Sequence, residues 1–277
     1  MNIPKHADVF AKEMKRRNYC DNTIKNYSSN IASFFKYFDK KEHPLHVNES
    51  DIKEYLSTFK CTNTQRSNHG AIKMYYDICL NQKDKFKYIP YARKEQKLPI
   101  VLSVSEIQSM FNVCENTKHK VILSLLYSCG LRVSELINLK WINIDRSRMI
   151  INIIKAKGNK DRQVMLADSL IPLLEKYYYE YKPITYVLNG QTKEQYTARS
   201  VGEVVKQLAA KAGIDNKRVY THLLRHCSFT HMVEAGTDIN LVQKLAGHSN
   251  VKTTMIYTHI SHNLISKINS PINNIKL

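Results

Sequence analysis

The chain has 277 residues, enough for two domains of ordinary size, and carries a formal net charge of +18 with a pI near 9.5. Such a charge favours a polyanionic partner, nucleic acid first and an acidic membrane surface second. The sequence holds no apolar run of the roughly 20 residues that a membrane span needs. Its charged start also lacks the apolar centre of a signal peptide, so we expect a cytoplasmic protein that uses no membrane.

Apolar and aromatic residues recur at helical spacing through the first third of the chain. The pattern predicts two helices within residues 6–38, the second capped near Asp21–Asn22, and further helices over 49–59, capped by Ser50, and over 62–82. Amphipathic helices of this size are typical of a small all-helical bundle.

Helical periodicity then breaks down into lysine, arginine and tyrosine with two prolines, the composition of an extended connection. The sequence therefore predicts a helical domain over residues 1–85, a linker over 86–98 and a second domain over 99–277. Both halves are basic, so either can bind the polyanion.

The second half opens with Ser103 three residues before Glu106, which predicts a capping box at the start of a helix that ends near Cys114. A second helix is expected from Lys118 to Cys129. Gly130 is interpreted as its stop signal.

Residues 148–156 and 160–166 are rich in β-forming side chains, and a Lys-Gly-Asn turn separates them. They predict a β-hairpin with Lys157 at its turn. Only helical patterns follow, over 169–181, 199–212, 222–235, 239–246 and 250–258. The expected fold class is therefore mainly α with a small β-sheet, a helical domain joined to a mixed α/β domain.

Six cysteines are scattered along the chain without a paired C-x-x-C spacing. Most lie in apolar helical patterns, where a thiol behaves as a small hydrophobic side chain. We expect all of them to be reduced core residues: Cys20, Cys61, Cys79, Cys114, Cys129 and Cys227.

Three motifs in the last third suggest phosphoryl transfer: Thr-His-Leu-Leu-Arg-His at 221–226, Leu-Ala-Gly-His at 245–248 and Met-Ile-Tyr-Thr-His at 255–259. A guanidinium fork can bond two phosphate oxygens at once, and Arg132 and Arg225 are the candidates for that task. Any one of these side chains alone is more often a solvated or structural group, and only the combination favours catalysis.

Arg225 lies three residues after His222 on a predicted helix, so the two side chains share a face and can approach one phosphate together. Glu135 has a structural interpretation, in which it pairs with Arg132 or with a neighbouring backbone group.

Tyr257 is the candidate nucleophile, on a short predicted helix capped by Asn250. A phenol has a pKa of about 10 and needs activation at neutral pH. His222 is the candidate acceptor of its proton, and His248 the candidate hydrogen-bond donor to the phosphate. Lys157 on the hairpin turn is long enough to protonate the leaving 5′ oxygen.

No metal and no other cofactor are expected. His222 and His226 have the four-residue spacing of metal ligands, but no glutamate lies between them as in H-E-x-x-H, and no cysteine partner is near.

Other basic residues are candidate contacts to the DNA backbone. Two of them follow Lys157 on the hairpin and the others belong to the helical domain: Lys160, Arg162, Arg16, Arg17, Lys25, Arg66 and Lys73.

The motifs GLRVSEL, KGNKDR, HLLRH, LAGH and IYTH occur in one order over almost the whole chain, and as a set they resemble the tyrosine recombinases, also called phage integrases. The resemblance assigns catalytic roles, with Glu135 in support, to Arg132, Lys157, His222, Arg225, His248 and Tyr257. Thr221 stands where many members have proline, a departure that affects no catalytic position.

The resemblance implies a helical, SAM-like core-binding domain and a catalytic domain that clamp double-stranded DNA. It also implies a 3′-phosphotyrosyl intermediate, strand exchange by a 5′-hydroxyl within a homotetramer, and packing of the residues after Tyr257 on a neighbouring subunit. No small-molecule substrate is expected. The absence of an arm-binding domain before residue 1 favours the Xer type or a short integrase of a mobile element.

Two alternatives to a site-specific recombinase stay open from the sequence. A type IB topoisomerase shares the tyrosine chemistry but relaxes any supercoiled DNA as a monomer. A regulator or accessory factor binds its site without cutting it. The target sequence, the choice among integration, excision and dimer resolution, and the need for a second recombinase or accessory protein are not encoded in a readable pattern.

Overall fold

The structure is a computed structural model that describes residues 3–41, 43–93, 100–154, 161–190, 195–215 and 217–260. Side chains are described between residues 6 and 258 of these ranges. The chain forms two compact units, Met1–Gln96 and Lys97–Leu277. Helices account for 62% of the structure and one small sheet accompanies them, which confirms the predicted fold class.

The described part of the first unit is a helical bundle of α1 (Ile3–Arg16), α2 (Asp21–Tyr37), α3 (Glu49–Ser57) and α4 (Thr62–Ile78). Its core is rich in aromatic rings, and Phe34, Phe35, Tyr75 and Tyr76 are all buried. Most neighbouring ring pairs meet edge to face, the arrangement that the quadrupoles of aromatic rings favour. This packing is what holds α2 against α4.

Two predicted helix caps in this unit are wrong. Asn48, not Ser50, caps α3, because its side chain accepts a hydrogen bond from the Asp51 amide at 2.9 Å while Asp51 accepts one from the Asn48 amide at 2.7 Å. At α2 the cap position belongs to Cys20, and Asp21 is already the first helical residue. Asp21 therefore adds a negative charge to the first turn.

The second unit contains nine α-helices in its described part: α5 (Val104–Asn112), α6 (Thr117–Ser128), α7 (Val133–Ile137), α8 (Leu170–Tyr181), α9 (Ala198–Lys211), α10 (Thr221–Glu234), α11 (Ile239–Ala246), α12 (Val251–Thr254) and α13 (Ile256–Ile260). The predicted capping box opens α5, where the Ser103 amide donates to Glu106 at 2.7 Å. The helix predicted over 250–258 is instead two short helices, divided at Met255.

Three antiparallel strands lie beside these helices in the order β1 (Ile144–Asp145), β2 (Ile150–Ile153) and β3 (Arg162–Met165). Ile151 pairs with Val164, and both are buried against the helices. The pairing of β2 with β3 confirms the predicted hairpin strands. Lys157, which the sequence assigns to the turn, and Lys160, which it assigns to the start of the second strand, lie outside the described residues.

Helix α6 is the centre of the second unit, with buried side chains all around it. Gly130 follows its end with φ +57°, and a Cβ there would lie 2.6 Å from Cζ of Phe229. Only glycine permits both this left-handed backbone and the close approach of α10. The predicted stop at Gly130 thus also fixes where α10 packs.

All six cysteines have free thiols, but the prediction that they belong to the core is wrong for two of them. Cys20 and Cys61 are exposed at the starts of α2 and α4. Their helical spacing from apolar residues could not distinguish a cap position from the buried face of a helix.

Candidate active site

Helix α10 carries four chemically distinctive side chains along one face, because His222, Arg225, His226 and Phe229 are spaced three, four and seven residues apart. His222 lies at the exposed end of this row, and its ring is 4.6 Å from that of His226. Arg225 is 1% exposed. The helix thus runs from solvent at its start into the centre of the unit.

Arg225 is fixed by backbone carbonyl groups on two other elements. Its Nη1 donates to the carbonyl oxygen of Gly130, and its Nη2 to that of Ala246 at the end of α11. The guanidinium carbon lies 4.7 Å above the ring of Phe229. These contacts tie the ends of α6 and α11 to α10.

Arg132 approaches the same carbonyl from the start of α7. Its Nη2 lies 3.2 Å from the oxygen of Ala246, and its Nη1 donates to Glu135 at 2.8 Å. The Arg132 amide donates to the other oxygen of Glu135 at 2.7 Å, which is the pairing expected from the sequence. Arg132 and Arg225 thus meet at Ala246, and the Arg132 side chain keeps 19% of its surface exposed.

Arg162, which the sequence predicts to be a simple phosphate contact, is buried in the structure. Its side chain is 6% exposed, and its two terminal nitrogens donate to the two oxygens of Glu135, one of them at 2.8 Å. Its Nε donates to the carbonyl oxygen of Leu245 at 2.8 Å. A buried guanidinium with these partners has no free fork for DNA.

The three guanidinium groups create a strongly positive region. Burial, with the charges of Arg132 and Arg162, lowers the pKa of Arg225 to about 9. Burial alone would raise the pKa of Glu135, but the hydrogen bond and charge of Arg162, together with Arg132, lower it to about 2. Glu135 is therefore a carboxylate at neutral pH, and the remaining positive charge suits a phosphate.

The second half of the site lies where α11 ends. Gly247 adopts φ +61° there, and His248 follows with its ring nearly parallel to that of Tyr257, at 6.2 Å and 16°. His248 Nδ1 lies 3.0 Å from the hydroxyl of Thr254, which is buried in α12. Tyr257 is 1% exposed, and its ring lies 5.8 Å from that of His226.

Protonation states in this half follow from burial. Burial raises the pKa of Tyr257, although the charges of Arg225 and Arg132 oppose the rise. Burial, with the charge of Arg225, lowers the pKa of His248 to about 4. Burial and His222 lower that of His226 to about 4. At neutral pH the tyrosine is thus protonated and both histidines are uncharged.

This geometry brings together a tyrosine, an uncharged histidine and two arginines, and the sequence comparisons agree with it. The model of the phage integrase family matches residues 101–263, and that of the N-terminal SAM-like domain of phage integrases matches residues 7–84. The chain belongs to the phage integrase family. It is a tyrosine-type site-specific DNA recombinase.

Individual relatives cover nearly the whole recombinase. The tyrosine recombinase XerC of Staphylococcus haemolyticus is 30% identical over 272 residues, which make up 91% of each chain. The XerH recombinase bound to a palindromic difH substrate, in a post-cleavage complex, matches with TM-score 0.75 and 22% identity over 94% of this chain and 83% of that one. A lambda integrase tetramer bound to a Holliday junction matches with TM-score 0.75 and 15% identity over 92% and 76%. These two structures share the fold.

The candidate site includes Arg162 and His226, to which the sequence assigned other roles. Arg162 was predicted to contact DNA like its basic neighbours, and His226 was considered only as a metal ligand. The described residues contain no group of three His, Cys, Asp or Glu side chains placed to hold a metal ion. The Nδ1 atom of His226 is buried without a hydrogen-bond partner among the described groups, a feature visible only after folding.

The basic residues predicted to contact DNA from the helical unit have different surroundings. Lys25 and Lys73 are exposed, whereas Arg66 is half-buried, donates to the carbonyl of Ala92 and lies 5.1 Å from the ring of Tyr91. Arg16 and Arg17 are exposed and both bond to Glu13. Along the described ranges, no helix is both long and apolar enough to cross a membrane.

Proposed function

We propose that Tyr257 is the nucleophile of this recombinase and that Arg132 and Arg225 bind the phosphate under attack. The tyrosine oxygen bonds to phosphorus, the 5′ oxygen leaves, and a 3′-phosphotyrosyl bond remains. The 5′-hydroxyl of a second strand then attacks phosphorus and releases the tyrosine. One phosphoester bond replaces another at each step, so the reaction consumes no ATP.

The convergence of both halves of the site at the end of α11 is the observation that carries this proposal. Ala246 accepts hydrogen bonds from Arg132 and Arg225, and two residues later His248 lies parallel to the Tyr257 ring. The backbone from Ala246 to His248 therefore contacts the two proposed phosphate ligands at one end and faces the proposed nucleophile at the other.

The histidines fit separate tasks in this proposal. In the tautomer that this role requires, the Thr254 hydroxyl donates to Nδ1 of the uncharged His248 ring, and the Nε2 hydrogen then donates to a phosphate oxygen. His222 accepts the proton of Tyr257. Lys157, carried over from the family pattern, protonates the leaving 5′ oxygen. Glu135 orients Arg132 and remains a carboxylate.

Tyr257 is too buried to reach a phosphate without rearrangement. It lies on α13, and α12 and α13 are helices of four and five residues. Short helices of this kind have little stability of their own. A shift of this segment upon DNA binding would expose the tyrosine while the arginines keep their backbone partners.

The substrate of this reaction is double-stranded DNA, and we propose that four copies assemble on it, with or without a second recombinase or an accessory protein. The lambda integrase tetramer on a Holliday junction supports this assembly through its shared fold. The candidate segment for contact between subunits is the stretch after Tyr257, of which residues 261–277 lie outside the described part. A DNA substrate also favours action in the cytoplasm.

Trapping of the covalent intermediate tests the proposal. Nicked duplexes tiled across the DNA beside the gene are incubated with the protein and a chelator, and the products are separated on a denaturing gel. The wild type and the exposed control Tyr179→Phe should both give a slow protein–DNA band, and Tyr257→Phe should give none. A band that persists with Tyr257→Phe would show that another residue is the nucleophile.

A further inference from the structure

We infer that Arg162 is a positioning residue of the recombinase, which sets the places of Arg132 and His248 without contacting DNA. The inference rests on the roles proposed above for those two residues. It replaces the interpretation of Arg162 as one more basic group on the DNA-binding surface.

The first link runs from Arg162 to Arg132 through Glu135. Both terminal nitrogens of Arg162 donate to the Glu135 carboxylate, the arrangement that fixes two planar groups most firmly. The same carboxylate accepts from the side chain and the amide of Arg132. The orientation of Arg132 therefore depends on a carboxylate that Arg162 holds from the other side.

The second link runs from Arg162 to His248. The Nε of Arg162 donates to the carbonyl oxygen of Leu245, one residue before the carbonyl that Arg132 and Arg225 share. The carbonyl end of a helix carries partial negative charge, so the guanidinium stabilises the end of α11. His248 lies three residues after Leu245.

Close packing at Gly247 also connects Arg162 to His248. A Cβ on Gly247 would lie 2.8 Å from Cδ of Arg162, closer than real Cβ atoms come to a neighbour. The stem of Arg162 therefore packs directly on the turn that leads into His248. One buried side chain thus contacts the supports of both halves of the active site.

Lysine cannot replace this arrangement although it keeps the charge. Arginine presents a rigid planar set of donors, whereas lysine has a single ammonium group on a flexible stem. An ammonium near Glu135 would leave the carbonyl of Leu245 without its donor. The variant Arg162→Lys therefore separates geometry from charge.

Cleavage and binding are measured separately in the experiment. Cleavage is followed in the prebound complex on the nicked duplex that gives a Tyr257-dependent band. We expect Arg162→Lys to slow it about 100-fold, the loss that a displacement on the order of 1 Å in an active site causes. The control Arg146→Lys alters a well-exposed arginine paired with Glu175 and should cleave like the wild type.

Binding is measured with Arg162→Gln on a random-sequence duplex at several KCl concentrations. A positioning residue leaves the slope of log Kd against log salt unchanged. A phosphate contact would reduce that slope by about 0.9 when its charge is removed. A reduced slope, or wild-type cleavage by Arg162→Lys, would overturn the inference.

Gly247→Ala is the further test if either Arg162 variant fails to fold by circular dichroism. It leaves every charge in place, displaces the Arg162 stem and strains the turn at φ +61°, so we expect slow cleavage with an unchanged salt slope. Cleavage at the wild-type rate by a folded Gly247→Ala would contradict the inference. If the wild type itself forms no Tyr257-dependent band, the proposed function fails and the inference falls with it.

Discussion

Two sets of arginines, one in each unit, have opposite surroundings. In the second unit Arg132, Arg162 and Arg225 are wholly or largely buried and bond to a carboxylate and to backbone carbonyl groups. In the helical unit Arg16 has 71% of its side chain exposed and shares Glu13 with Arg17. The buried set transmits geometry, because a displaced partner moves its neighbours, whereas the exposed set contributes mainly charge.

Basic charge alone therefore does not identify the DNA-binding surface of this protein. Each of these buried arginines bonds to Glu135 or to the end of α11, next to residues with proposed catalytic roles. In the described part of the chain, the side chains of the exposed arginines Arg16 and Arg17 bond only to Glu13. A single substitution in the buried set should therefore cause a large loss of cleavage or of stability. A single substitution in the exposed set should cause only a small change in affinity for DNA.

The largest effect is expected from Gly130→Ala. The substitution forces a non-glycine residue into φ +57° and brings its Cβ within 2.6 Å of the Phe229 ring, which in turn lies under Arg225. We expect the free energy of unfolding to fall by about 3 kcal/mol, from backbone strain plus overpacking. Cleavage should fall with it, because Gly130 provides a carbonyl for Arg225.

Trp141, the only tryptophan of the sequence, makes this measurement specific for the second unit. Urea unfolding followed by its fluorescence reports on that unit while the helical unit contributes no tryptophan signal. Gly202→Ala is the matched control, because Gly202 lies within α9 with no atom within 4 Å of its potential Cβ. Alanine should stabilise that helix by about 0.5–1 kcal/mol. Equal effects of the two variants would contradict the packing argument.

The sequence could predict what depends on near neighbours along the chain. The capping box of Ser103 and Glu106 is confirmed because its partners are three residues apart. Ser50 was wrong because Asn48, two residues earlier, is an equally favoured cap residue, and Asp51 completes its capping box. Local rules therefore locate helices more reliably than they choose between adjacent caps.

The residues of the candidate site fall into the same two groups, those that a local motif identifies and those that depend on contacts far along the chain. Motif spacing pointed to Arg225 and Tyr257, but the burial of Arg162 depends on Glu135, 27 residues away, and on Leu245, 83 residues away. No local pattern distinguishes a lone exposed arginine from one that packing encloses. The break of the last helix at Met255 was equally invisible, because the apolar spacing continues across it.

A smaller effect is expected from pH. The pKa values of His226 and His248 lie near 4 in the fold, against 6.5 as the ordinary value, because burial disfavours their charged forms. Between about pH 6.5 and 4 the unfolded chain binds more protons than the folded one, so stability falls as the pH is lowered through this window. Glu135 adds to this loss in the lower part of the window, because its pKa is about 2 in the fold against 4.5 as the ordinary value, so the unfolded chain takes up its proton first.

Urea unfolding of the wild type at about pH 7, 6 and 5, again followed through Trp141, measures this linkage. The midpoint should fall steadily toward low pH. His248→Asn removes one of the titrating groups with the lowest pKa and should flatten the dependence. A wild-type midpoint that stays constant over this range would mean that these histidines are not held uncharged by the fold.

The smallest effects are expected on the helical unit. Lys73 is exposed, and if it contacts a phosphate, Lys73→Gln should reduce the slope of log Kd against log salt by about 0.9. Arg16→Gln should change the slope less, because its guanidinium already bonds to Glu13 at 2.7 and 2.9 Å.

Glu13→Gln frees Arg16 and Arg17 together and should tighten binding to a random-sequence duplex. Tighter binding with unchanged cleavage of the bound complex would assign these arginines a charge role, whereas a change in cleavage would show that geometry matters in the helical unit as well.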